Sequence, residues 1–136
     1  MKIYLAARYG RREEMCRYRV ELQAIGVSVT SRWLNGNRDG VLETVAARED
    51  IEDIRLADTL IAFTEHPEMT GPGRNRGGRH VEMGYALALS KPVIVCGHLE
   101  NVFCYLPNVS YFSEWPDLFA ELCRIAASAA MTIEPT

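Results

Sequence analysis

Short apolar runs alternate with amphipathic stretches of helical period along this chain, and that alternation restricts it to a parallel sheet flanked by helices. Lys2 to Ala7, with Ile3, Tyr4 and Leu5, reads as a buried first strand, with Ala6 near its end expected to border the substrate. From Arg11 to Ile25 the residues Met15, Tyr18, Leu22 and Ile25 recur at spacings of three and four, which predicts a helix with Gly26 as its stop signal. Val27 to Thr30 is β-branched and alternating, a second strand. Ser31 to Gly40, with Asn35-Gly36 and Asp39-Gly40, reads as a loop.

The same rhythm continues. A helix is expected from about Leu42 to Ala57, with Ala47, Ile51 and Ile54 on one stripe, followed by a strand from Thr59 to Phe63. The glycine-rich Thr70 to Gly78 precedes a helix from about Arg79 to Leu89. Strands follow at Pro92 to Cys96 and Val109 to Phe112, and a last helix at Pro116 to Ala127. At 136 residues the chain is expected to form one domain, its tail from Ser128 to Thr136 frayed. The fold class is α/β: a Rossmann- or flavodoxin-like doubly wound sheet of about five parallel strands. Such sheets bind ligands beyond the carboxyl ends of their strands, so the loops starting at Arg8, Ser31, Thr64 and Gly97 should open on one edge.

Composition narrows the partners. A formal net charge of -3 argues against coating duplex nucleic acid, which requires a basic surface. No apolar run reaches the eighteen or so residues of a membrane helix, and Met1 leads directly into a strand-like run, so a cytoplasmic protein is expected. The four cysteines, Cys16, Cys96, Cys104 and Cys123, form no CxxC pair, and His66, His80 and His98 are not spaced as ligands of one metal. Neither a metal nor a cofactor is expected; the partner should be a small molecule.

Of the fifteen basic residues only Lys2 and Lys91 are lysine. Arginine's planar fork suits phosphate or carboxylate, and Arg8, Arg11 and Arg12 in the first loop, with Arg74, Arg76 and Arg79 in the glycine-rich segment, could serve an anion or simply form solvated faces. The segment GPGRNRGGRH could add backbone N–H groups, Gly78 among them, but it lacks the Gly-Lys-Ser/Thr ending of an ATP-binding P-loop.

Glu82 carries the clearest chemical signal, as the one charge in Val81 to Leu89 (VEMGYALAL). A helix apolar on nearly all sides is expected to be buried on nearly all sides, and a carboxylate within it would be desolvated. The alternative is an acid placed in the first helical turn by the helix dipole. Gly84 would let a ligand approach the helix, or let the helix pack closely. Asp58 precedes a buried strand and needs a partner, whereas Asp50, among Glu49, Glu52 and Asp53, looks like part of a solvated acidic face. Trp33 on the ligand edge could stack on a base or fill the core. His80, two residues before Glu82, could touch a substrate.

IYLAARYG at the start, DIEDIRLAD in the middle and GGRHVEMGYALALSKPVIV afterwards together resemble the nucleoside 2-deoxyribosyltransferase family, which includes 2'-deoxynucleoside 5'-phosphate N-hydrolases and CMP hydrolases; the resemblance covers roughly residues 2 to 125. It implies that Glu82 is the nucleophile that attacks the anomeric carbon, that Asp50 orients the nucleophile or sugar, and that Tyr4 hydrogen-bonds the active-site carboxylate. It further implies that Asn101 reaches a neighbouring subunit's sugar site, hence a homodimer or higher assembly. The phosphate-binding members carry a serine and an arginine in the first loop and a serine before the nucleophile; here Arg8, Gly10 and Arg76 stand in those places.

The expected activity is cleavage of the N-glycosidic bond of a nucleoside 5'-monophosphate, deoxy or not, through a covalent glycosyl-Glu82 intermediate resolved by water. A free-nucleoside deoxyribosyltransferase, with a second base as acceptor, is the first alternative. GGRHVE also resembles the glycine-and-acid motif of cytokinin-activating phosphoribohydrolases, except that Arg79-His80 replaces their Gly-Thr. A nucleotide-sensing module would keep the arginines and Trp33 but needs no lone buried Glu.

Overall fold

The computed structural model describes residues 1–36, 38–66 and 77–132. Five strands, β1 (Lys2–Ala6), β2 (Ser28–Val29), β3 (Thr59–Phe63), β4 (Val93–Cys96) and β5 (Val109–Phe112), form one sheet in the order β2-β1-β3-β4-β5. Every adjacent pair is parallel. The helices are α1 (Arg12–Ala24), α2 (Glu43–Leu56), α3 (Gly78–Ala88) and α4 (Trp115–Thr132), with short 3-10 turns at Tyr9–Arg11, Arg32–Asn35 and Val102–Tyr105. This is the flavodoxin-like order, in which the chain reverses direction across the sheet between β1 and β3.

Register and pleat decide what each face meets. Tyr4 lies opposite Leu60, and alternation turns Phe63 to the other side of the sheet. On Phe63's side Tyr18 of α1 and Trp115 of α4 stack with centroids 4.2 Å apart, and both rings contact Phe63. On Tyr4's side stand α2 and α3. The two central strands are almost fully buried, Ile3, Leu5, Leu60 and Ile61 being wholly inaccessible. Near-continuous apolar runs are therefore what strands covered on both faces require.

β2 is only two residues long because side chains replace the ladder beyond it. The Leu5 amide donates to Ser31 Oγ at 2.7 Å, and the Trp33 indole donates to the Leu5 carbonyl at 2.9 Å. The chain after β2 is thus pinned to the carboxyl end of β1.

Two expectations change. α3 is not buried on all sides: Arg79, Met83 and Ala86 face inward, while Val81, Gly84, Ala88 and Leu89 are exposed. A helix on an open sheet has only one face to bury, and nothing else in the described chain covers the other. α4 continues through Ser128 to Thr132, since the alanine-rich sequence there is a strong helix former with no stop signal; the rest of the expected frayed tail, 133–136, lies outside the described residues.

Candidate active site

The loop after β1, the middle of α2 and the amino-terminal part of α3 converge at the carboxyl edge of the sheet, beside the β1/β3 switch point. They enclose a pocket of about 650 Å³, a volume suited to a nucleotide-sized ligand. Arg8, Trp33, Asp50, Gly78, His80 and Glu82, all singled out in the sequence, line it.

Glu82 sits one turn into α3 and receives a short hydrogen bond from the Tyr4 hydroxyl. The pleat places Tyr4 on the α3 side of β1, and the ring is fully buried. Burial first, then the negative charges of Glu82 and Asp50, holds the Tyr4 phenol far above its ordinary value, so it stays a protonated donor. Glu82 itself is pushed up to about 7, chiefly by burial and further by Asp50, against the opposing effects of the Tyr4 hydrogen bond and the Arg38 and Arg79 charges. A carboxylate in this range exchanges its proton near neutrality, as acids with a chemical task do.

Asp50 is not part of a solvated acidic face. Arg38 grips it at two points, Nη2 to Oδ1 at 2.6 Å and Nη1 to Oδ2 at 3.3 Å, and both residues line the pocket. One turn further along α2, the buried Asp53 accepts from the Arg32 amide and from Arg32 Nε, each at 2.9 Å.

The remaining candidates are distributed more widely. Arg8 Nε donates to the buried Glu65 carboxylate at 2.9 Å, and a side chain at Gly10 would collide with Arg8 Nη1. Trp33 forms a wall of the pocket but is nearly inaccessible; the exposed aromatic ring beside it is Tyr9, with centroids 6.2 Å apart and planes tilted by 44°. Arg11 lies outside the pocket, its fork engaged by both oxygens of Glu14 at 2.8 and 2.7 Å. Asp58 accepts from the Lys2 amide at the amino-terminal edge of the sheet, opposite the pocket. Ala6 is buried at the end of β1. Arg76, with the other residues of 67–76, lies outside the described residues.

Gly84 and Asn101 border a second cavity of about 480 Å³, on the exposed side of α3 with Met83, Phe103 and Leu106; His80 borders both cavities. Asn101 Oδ1 caps the 102–105 turn by accepting from the Phe103 amide at 3.0 Å. Between the two cavities Arg79, nearly inaccessible, lies 2.5 Å from Glu100 Oε1 and ties α3 to the loop after β4. Among the described residues no cluster of metal-ligating side chains occurs, and no helix is long and apolar enough to cross a membrane.

Sequence reading missed Tyr9, Arg38, Glu65 and the Arg79–Glu100 pair. Arg38 had a usable signal, as an arginine in a loop assigned to the ligand edge; Glu65 had none beyond its place after β3.

No family model matches the chain, and no curated protein matches it. Among solved structures its fold is similar to that of the CMP N-glycosidase BcmB of Clostridium botulinum. The two are 22% identical, the likeness covers 90% of this chain and 98% of that one, and the TM-score is 0.60. The likeness establishes a shared fold, including the doubly wound parallel sheet read from the sequence.

Proposed function

We propose that this chain is a nucleotide N-glycosidase of the nucleoside 2-deoxyribosyltransferase family, hydrolysing the base–sugar bond of a nucleoside 5'-monophosphate with Glu82 as nucleophile. The observation that carries the reading is the Tyr4–Glu82 hydrogen bond at the wall of a nucleotide-sized pocket that also holds Asp50. It is the carboxylate arrangement implied by the sequence resemblance, and the structural neighbour's name, a CMP N-glycosidase, points to the same bond.

In the first step a Glu82 oxygen bonds to the anomeric carbon as the C1'–N bond breaks; the base leaves with that electron pair and takes up a proton from solvent. In the second step water attacks the same carbon, the ester to Glu82 breaks, and the water's second proton is released. Two displacements retain the anomeric configuration. Tyr4, held protonated, keeps one Glu82 oxygen fixed and favours the ionised form that attacks. Asp50 orients the sugar, Tyr9 and Trp33 accommodate the base, and Arg8 with the amino end of α3 at Gly78 meets the 5'-phosphate.

The exposed apolar face of α3 continues into Val102, Phe103 and Leu106, an arrangement suited to a second copy that would bring its Asn101 toward the first copy's sugar. Ribo- and deoxyribonucleoside monophosphates and the matching nucleosides, with and without a second free base, provide the test. Base release from monophosphates alone supports the hydrolase; exchange that requires an acceptor base makes the protein a transferase; no turnover, with binding retained, makes it a sensor.

A further inference from the structure

The four acidic residues between positions 49 and 53 of α2 are divided between two arginines. Arg32 takes Glu49, Glu52 and the buried Asp53, at 3.7, 3.5 and 2.9 Å. Asp50, the one acid of this group that lines the pocket with Glu82, is left to Arg38. Arg38 reaches it from the segment between the 32–35 turn and α2, and its two-point contact holds both oxygens. Such a grip fixes the plane of a carboxylate as well as its position, which a single point charge does not.

We propose that Arg38 is a positioning residue for the reaction at Glu82, acting by locking the orientation and charge of Asp50 on the pocket wall. The inference rests on the N-glycosidase reading above. Two carboxylates sharing one pocket repel, and the Asp50 charge makes Glu82 ionise less readily. One bound guanidinium offsets that repulsion and holds the Asp50 carboxylate in a fixed plane on the pocket wall, where it can meet a sugar hydroxyl. Among the described residues, the groups that act most on Glu82 are the Tyr4 hydroxyl from β1, Asp50 from α2, Arg38 from the preceding segment and Arg79 from α3 itself, with Arg8 from the loop after β1 and His80 from α3 lining the same pocket. Of the arginines among these described residues, Arg79 is paired with Glu100 and Arg8 with Glu65, which leaves Arg38 as the one paired with Asp50. Arg38 therefore offsets the Asp50 charge through its two-point contact and, through space, also favours the ionised form of Glu82.

Arg38→Ala should lower kcat/KM for the monophosphate at pH 7 by about tenfold or more and move the acidic limb of its pH profile upward by about half a pH unit. Arg38→Lys restores the limb by restoring the charge, but recovers little of kcat, because the fork is missing. In an Asp50→Asn background Arg38→Ala should cost little more, since both substitutions remove one device. Carboxyl carbon NMR of 13C-glutamate-labelled protein follows the Glu82 titration independently of turnover. If Arg38→Ala changes only thermal stability, leaving the limb, kcat and the Glu82 titration as in the wild type, Arg38 is a loop pin and the inference is overturned. A wild type inactive on every substrate but with a shifted Glu82 titration in Arg38→Ala would overturn the glycosidase reading instead.

Discussion

Tyr4 and Glu82 are 78 residues apart in sequence, yet the hydroxyl of one donates to the carboxylate of the other. The contact spans the first strand and the third helix, so it forms only when the sheet is assembled. Removing the donor in Tyr4→Phe takes away a hydrogen bond to the charged form of Glu82, and its proton affinity rises further. Activity at pH 7 should fall about tenfold, as one charge-assisted hydrogen bond is worth about 1.5 to 3 kcal/mol. Part of the loss should return by pH 9, which a pH series of initial rates would show; a uniform loss at every pH would assign Tyr4 to packing alone.

Glu82→Gln should abolish base release while raising stability in alkaline buffer. The folded-state value of about 7 lies above the ordinary 4.5, so folded Glu82 holds its proton more tightly than the unfolded chain does. That contribution is fully present below pH 4.5 and is lost as pH rises through 7. Above pH 7 the wild type carries a buried charge worth about 3 kcal/mol of destabilisation, which the amide does not carry. Urea unfolding at pH 8 and pH 4 should give a clear gain for Glu82→Gln at the first and almost none at the second.

Arg8→Ala should raise KM for a monophosphate about tenfold or more and leave the matching nucleoside nearly unaffected, because only the former presents an anion. Gly10→Ala should act in the same direction more weakly, since its methyl group would displace Arg8 Nη1 and that flexible side chain can yield. Steady-state rates of base release over a range of concentrations of each substrate measure the difference. Equal losses for nucleotide and nucleoside would remove Arg8 from phosphate recognition.

Glu100→Ala leaves the Arg79 guanidinium buried opposite no carboxylate. Breaking a buried pair from one side costs about 3 kcal/mol, so the urea midpoint should fall markedly, whereas Glu121→Ala, which breaks an exposed pair with Arg124, should change it little. Comparable midpoints for the two variants would show that the Arg79–Glu100 contact carries no structural weight.

Strand and helix positions and their parallel arrangement follow from periodicity, which is local: alternate runs of apolar residues and three-four spacings report what each segment must bury. Glu82 is visible for the same reason, as a charge inside an apolar segment. Asp50 acquires significance only through the family resemblance, because spacing along α2 does not distinguish it from Glu49, Glu52 or Asp53. Which arginine meets which acid depends on strand order, register and the path of each loop. Tertiary structure therefore decides that Arg38 holds Asp50, that Arg11 turns away to Glu14 while Arg8 faces the pocket, and that Trp33 closes a wall with its indole bonded to Leu5. It also decides that α3 leaves Val81, Gly84 and Ala88 exposed, since an apolar pattern shows what a helix can bury, and only the packed sheet shows which face finds a partner.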